Sequence, residues 1–92
     1  DPAARRVFRG SREIHLSPTE FRLLEFLMRR AGRVISRNAI IEAVWGFDHD
    51  VEDNTLDAFV RLLRSKVDRD FRQKLIHTVR GVGYTVRDES KP

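Results

Sequence analysis

The 92 residues include no cysteine, only three prolines, one tryptophan and one tyrosine. Without cysteine there is no disulfide framework and no thiolate metal site. No apolar run approaches the roughly 18 residues needed to span a bilayer. No charged start leads into an apolar signal core, no long polar tract suggests disorder, and there is no internal repeat. The constellations of catalysis are missing as well. His15, His49 and His77 are scattered, and no serine is placed as a nucleophile with a general base beside it. The acidic run Asp48-His49-Asp50-Val51-Glu52-Asp53 lacks the glycine and the spacing of a calcium loop. Gly81 and Gly83 are not followed by the Lys-Ser/Thr and helix of a phosphate loop. No enzymatic activity, metal or cofactor is expected.

What is present is a small chain with an apolar fraction of 40%, enough for one domain with a modest core. Its net charge of +4 is unevenly placed. Residues 54–87 carry eight Lys/Arg against three Asp/Glu, whereas residues 1–53 carry nine of each. A one-sided basic distribution suits a nucleic-acid backbone.

Elements follow from local signals. Arg6-Val7-Phe8-Arg9 and Glu13-Ile14-His15-Leu16 are strand candidates around Gly10-Ser11-Arg12. Ser17-Pro18-Thr19-Glu20 matches a capping box with proline at the first helical position, and Leu16 and Phe21 sit where a hydrophobic staple would. The helix that follows has Phe21, Leu24, Leu27, Met28 and Ala31 as its buried stripe, and Gly32 is expected to stop it. Val34-Ile35 is a short apolar bridge. Ser36 caps a second helix with Ile40, Ile41, Val44 and Trp45 facing inward, and Gly46 ends it. An acidic loop leads to a third helix, capped by Asp53 or Asn54, whose inner face is Leu56, Phe59, Val60, Leu63 and Val67. Asp57 in its first turn suits the positive end of the helix dipole. Residues 68–74 form a polar connection. A hairpin from Ile76 to Val86 turns at Arg80-Gly81-Val82-Gly83, where two glycines allow a tight corner.

The order is hairpin, three helices, hairpin: an α+β domain on the helix-turn-helix plan, with a loop longer than the plain motif allows. The outward face of the third helix is Asn54, Ala58, Arg61, Leu62 and Ser65. Ala58 and Ser65 are small enough for close approach. Arg61 suits guanine O6 and N7, Asn54 an adenine or a phosphate, and Leu62 a thymine methyl. Arg64 and Lys66 on the flanks point where phosphates would lie. Arg80 at a ribbon tip suits a narrow minor groove. The plain alternative is a solvated amphipathic helix and a structural hairpin. The Tyr84 ring is expected to pack, and its hydroxyl is left open between phosphate and the interior.

Five segments, in this order, resemble the winged-helix DNA-binding domain of OmpR/PhoB-type regulators: Leu16-Ser17-Pro18-Thr19-Glu20-Phe21 with Leu23-Leu24; Gly32-Arg33-Val34-Ile35-Ser36-Arg37; Val44-Trp45-Gly46; Thr55-Leu56-Asp57 with Leu63-Arg64-Ser65-Lys66-Val67; and Ile76 to Tyr84. The last, with Thr78-Val79-Arg80-Gly81-Val82-Gly83-Tyr84, is the most specific. The resemblance implies a winged helix-turn-helix: a remnant of an N-terminal sheet (1–16), a three-helix core (17–74) with the loop 46–53, a wing (75–87) and a tail (88–92). It implies double-stranded DNA as partner, at direct-repeat sites bound by a homodimer. A receiver domain and a sensor kinase lie outside this chain, and the setting is bacterial cytoplasm, nucleoid-associated, with no membrane partner.

Position by position, the resemblance makes Arg61 and Arg64 basic contacts of the recognition helix. Thr78, Arg80 and Tyr84 become contacts around the wing, and Trp45 a residue that packs and reaches a phosphate. The loop after Trp45 contacts RNA polymerase in such domains, which gives Asp48, Asp50, Glu52 and Asp53 a partner. Three positions depart: Asn54 stands where arginine is frequent, Phe59 where histidine is common, and Leu62 where a basic residue is usual. The start departs too, since the chain enters the N-terminal sheet about halfway, as a piece without its first strand or two would. Two rivals remain: a winged helix that binds protein, towards which Leu62 points, and the same DNA-binding domain in a membrane-anchored or antibiotic-pathway regulator.

Overall fold

Ser17 decides where the first helix begins. In the computed structural model, which describes residues 6–47 and 50–88 and only the backbone of Asp53, the Ser17 hydroxyl accepts from the Glu20 N–H at 3.2 Å. The Glu20 carboxylate accepts from the Ser17 N–H at 2.8 Å. Two donors that the helix start would leave unpaired are satisfied reciprocally. Helix α1 (Pro18–Arg29) follows.

Ahead of it, β1 (Val7–Arg9) pairs antiparallel with β2 (Arg12–Ile14), with Arg9 opposite Arg12 and Val7 opposite Ile14. The loop is only Gly10-Ser11, so Arg12 joins the strand. His15 and Leu16, expected to be paired, instead lead into the cap.

The inner face of α1 differs from the expected stripe. Glu20, Leu23, Leu24 and Leu27 are buried, whereas Met28 and Ala31 are exposed and Phe21 is half-buried. Two stripes sharing Leu24 and Leu27 differ by a small rotation, and the observed one puts Leu23 at the centre of the core. The rotation also buries a carboxylate. Lys66 Nζ donates to Glu20 Oε1 at 2.8 Å and supplies the opposite charge that burial demands. The helix ends at Arg29, before Gly32. Gly32 lies in the turn that follows, and its N–H donates to the Val86 carbonyl at 2.8 Å.

Ile35-Ser36 is more than a bridge. It forms β3 (Ile35–Ser36), which pairs antiparallel with β5 (Gly83–Val86), and β5 pairs in turn with β4 (Ile76–Val79). The sheet order is β3-β5-β4. Tyr84 lies opposite both Ile35 and Thr78, in the central strand.

Helix α2 (Arg37–Trp45) is capped by Ser36, whose hydroxyl accepts from the Ala39 N–H at 3.1 Å. Ile40, Ile41 and Val44 are buried, and Trp45 is half-buried. Helix α3 (Asp53–Val67) buries Leu56, Val60, Leu63 and Val67. Phe59 packs beside that stripe, edge-on to Trp45 with ring centroids 5.5 Å apart. The helix starts one residue earlier than expected. Glu52 holds the cap position without a side-chain cap bond, so Asp53 and Asn54 lie inside the helix rather than capping it.

The connection 68–74 is polar but not merely exposed. Asp68 is buried and accepts from the Leu75 and Ile76 N–H groups at 3.1 Å each, and from Arg9 at 2.9 Å. Arg9 also donates to the Val67 carbonyl at 2.6 Å and to the Gln73 carbonyl, with its guanidinium 4.0 Å from the centre of the Phe71 ring. One arginine of the first hairpin thus holds the end of α3 and the approach to β4 together.

Candidate nucleic-acid interface

The face of α3 opposite the core is uncovered. Asn54, Ala58, Arg61, Leu62 and Ser65 are all exposed. Burial of Leu56, Val60, Leu63 and Val67 fixes the rotation of the helix, and at 3.6 residues per turn this leaves those five positions outward. The Ser65 hydroxyl donates to the Leu62 carbonyl one turn back at 2.6 Å. Arg61 has no carboxylate within ion-pair distance among the described residues, although the nearby Asp57 is close enough for its charge to be felt.

The two flanking cations are already engaged. Arg64 donates to Thr78 Oγ1 and, at 3.3 Å, to the Ile76 carbonyl, so it ties the helix to β4. Lys66 is held by Glu20 on α1. Neither tether was visible locally, because both partners are remote in the chain.

The wing projects from β4 and β5. Arg80, Gly81 and Val82 form its turn, all exposed. Gly81 has φ of +76°, the left-handed region that glycine enters without strain. Gly83 has a different reason to be glycine. A Cβ there would lie 1.9 Å from the Ile35 carbonyl oxygen, so β3 packs where any side chain would stand. Arg80, like Arg61, meets no carboxylate within ion-pair distance among the described residues.

Tyr84 turns inward. The residue is 6% exposed, and its hydroxyl donates to the Asp57 carboxylate. Burial, then the hydrogen bond to Asp57 and its charge, push the phenol above its ordinary pKa. The Tyr84 hydroxyl bond holds the Asp57 carboxyl below its ordinary range, against the opposing effect of partial burial and with help from the Arg37 guanidinium. Arg37 pairs with the same carboxylate. Trp45 sits at the end of α2 against Phe59, half-exposed.

Apart from Lys66, held by Glu20, and Trp45, packed on Phe59, the candidates fall into three groups. Asn54, Ala58, Arg61, Leu62 and Ser65 share one exposed face, with Arg80 at the wing tip. Arg64, Thr78 and Tyr84 are joined to one another or to α3 at the junction between helix and wing. The acidic loop stands apart. Asp50 and Glu52 are exposed, and Phe47 is 83% exposed; Asp48 and the side chain of Asp53 lie outside the described residues. Arg37 and Asp57 are the participants that sequence reasoning missed. The only local hint was an acid beside an otherwise basic face.

The family model described as transcriptional regulatory protein, C terminal, matches residues 11–86. The chain belongs to this family. The response regulator MprA of Mycobacterium avium is 50% identical over 88 residues, covering 96% of this chain and 39% of MprA. The chain thus spans well under half the length of that relative. The DNA-binding domain of Bacillus subtilis CssR superposes with a TM-score of 0.81 at 32% identity, covering 94% of each chain. The Klebsiella pneumoniae RstA DNA-binding domain, solved in complex with the RstA box, gives a TM-score of 0.80 at 30% identity over 95% of this chain and 87% of that one. Three helices with these antiparallel sheets are the winged-helix fold of response-regulator DNA-binding domains. The family is one of DNA-binding transcription regulators, not an enzyme class. Among the described residues no helix is long and apolar enough to cross a membrane.

Proposed function

We propose that this domain is the DNA-reading output of a two-component response regulator, with α3 in the major groove and the wing tip in the adjacent minor groove. The observation that carries the reading is the single uncovered face of Asn54, Ala58, Arg61, Leu62 and Ser65, with Arg80 as a second outward cation. Arg61 reads a base edge between the small Ala58 and Ser65, and Arg80 enters the narrow groove. Thr78 and Trp45 line the approach of the phosphate backbone. The likeness to the RstA domain, solved with its DNA box, supports this docking mode.

The partners extend the same reading. Two copies bind head to tail on direct repeats, a receiver domain and its kinase lie elsewhere in the system, and the DNA target places the protein in the bacterial cytoplasm. The loop 46–53, with Phe47, Asp50 and Glu52 exposed, presents an apolar and acidic surface to RNA polymerase.

Selection of duplexes from a random pool at fixed salt tests the reading. A repeated motif is expected. Arg61→Ala should then weaken the selected site by about 1–3 kcal/mol and relax preference at one base pair. Arg80→Ala should lower the salt slope by about one. Equal losses on selected and random duplexes would make Arg61 a phosphate contact, and absence of any motif would favour a protein-binding domain.

A further inference from the structure

Asp57 is a carboxylate on the flank of α3, between its buried stripe and the proposed DNA surface, with its side chain 44% exposed. A free negative charge there would repel phosphate. Its neighbours explain its presence. The Tyr84 hydroxyl and the Arg37 guanidinium both donate to it. Arg37 is the first residue of α2, and its own N–H reaches the Val82 carbonyl in the wing turn at 3.4 Å. Asp57 therefore joins α3 to the wing by two routes, directly through Tyr84 and indirectly through Arg37.

Arg64 lies seven residues on, about two turns along the same side of α3. Its guanidinium carbon is 5.7 Å from the centre of the Tyr84 ring. From there it reaches Thr78 and Ile76 on the neighbouring strand. The central wing strand is thus gripped at its one tyrosine by an acid and a base of one helix. The Arg61 side chain emerges from that helix between the two.

We propose that Asp57 is a positioning residue that fixes the wing against α3, so that Arg61 and Arg80 meet neighbouring grooves as one rigid pair. Its consequence for DNA rests on the function proposed above; its mechanical part does not. The carboxylate contributes through the side chains it holds, and contact with a base is no part of its role.

The test uses the 92-residue chain, which has no cysteine of its own. Leu62→Cys and Val82→Cys, at sites 51% and 50% exposed, carry nitroxide labels on the helix and on the wing. Pulsed dipolar spectroscopy without DNA should give one narrow distance distribution in the parent. Asp57→Ala should broaden it, and Asp57→Asn, whose amide oxygen still accepts from Tyr84, should restore much of the sharpness. Tyr84→Phe keeps the packed ring and removes only the hydroxyl. It should broaden the distribution too, which secures the test if Asp57→Ala fails to fold.

A second arm uses unlabelled protein and two duplexes from the selected pool, alike under α3 and differing in the A·T content of the wing-side minor groove. The parent's preference between them should fall towards unity in Asp57→Ala. An unchanged distance distribution in folded Asp57→Ala and Tyr84→Phe would overturn the proposal. So would an equal loss of affinity on both duplexes. A parent that binds neither duplex while the labels respond as expected would sink the DNA reading and leave the positioning role standing.

Discussion

Replacing Gly83 by alanine asks whether this wing is held by a backbone approach rather than by its turn. The added Cβ would stand 1.9 Å from the Ile35 carbonyl oxygen, 2.9 Å from its carbon and 3.0 Å from the Ser36 Cα. Carbon and oxygen sit no closer than about 3.3 Å even in favourable C–H···O contacts. The strands must therefore part by more than an ångström, and no flexible side chain is available to yield instead. Parting unpairs Ile35 from Tyr84 and Ser36 from Gly83, the whole of the β3–β5 register. Overpacking costs about 1–3 kcal/mol, and each lost backbone hydrogen bond about 1 kcal/mol more. A total of about 2–4 kcal/mol follows, or roughly 10–25 °C in melting temperature for a domain of this size. Urea titration and a thermal melt measure it. Gly81→Ala is the control. A Cβ there meets nothing within 4 Å, but φ is +76°, so the cost should be about 1–2 kcal/mol from conformation alone, and Gly81→Asn should cost less. A Gly83→Ala variant within about 0.5 kcal/mol of the parent, a shift typical of surface substitutions, would refute the close-approach reasoning.

Two further outcomes concern charges inside the fold. Asp68→Ala should destabilise by about 3–5 kcal/mol in urea titration, since it leaves the largely buried Arg9 guanidinium without its carboxylate. Stability should also fall in acid. The carboxyl of Asp57, held down by the Tyr84 hydroxyl and by Arg37, and that of Glu20, held down against its burial by Lys66 and Ser17, both lie below their ordinary range in the folded state. Their stabilisation is complete above the unfolded carboxylate values of about 4 and is lost as pH falls through the depressed native values. Urea midpoints measured downward from about pH 6 should show that loss, and Asp57→Asn should lessen its slope.

Several features were legible because their causes are local. The Ser17-Pro18-Thr19-Glu20 cap, the presence of a corner at Gly10 (though one residue shorter than expected) and the inward stripe of α3 each depend on residues within a few positions of one another. The outward face of α3 was legible for the same reason. Leu56, Val60, Leu63 and Val67 set the rotation, and the remaining positions had to face away. The inner face of α1 was ambiguous because Leu23 and Met28 both extend a stripe through Leu24 and Leu27. Only the pairing of the buried Glu20 with Lys66, 46 residues apart in sequence, accompanies the observed choice. The strand at Ile35-Ser36 is two residues long and leaves no alternation to detect. Gly83 read as a turn residue, yet its constraint comes from Ile35, far upstream. Asp57 read as a helix-dipole acid, and its hydroxyl partner lies in the last strand.

Those remote partners also change what the charge count of residues 54–87 means. Of the eight cations there, Arg64 is tied to Thr78 and Ile76, Lys66 to Glu20, and Lys74 to the Asp68 and Phe71 carbonyls at 2.7 Å each. A cation committed to an acceptor within the fold does not also displace counterions from a phosphate. Affinity for B-DNA falls with salt at a log–log slope of about −0.9 per neutralised phosphate. Eight engaged cations would give a slope of about −7 for one domain. Arg61 and Arg80 alone would give about −2, and all five cations outside those three tethers at most about −4 to −5. Titration of one domain on a single half-site from low to moderate salt separates the two. A shallow slope is expected, because the helix–wing tethers serve the fold. A slope near the steeper value would mean that Arg64, Lys66 and Lys74 leave their partners on binding, and the rigid junction between α3 and the wing would then be a property of the free protein alone.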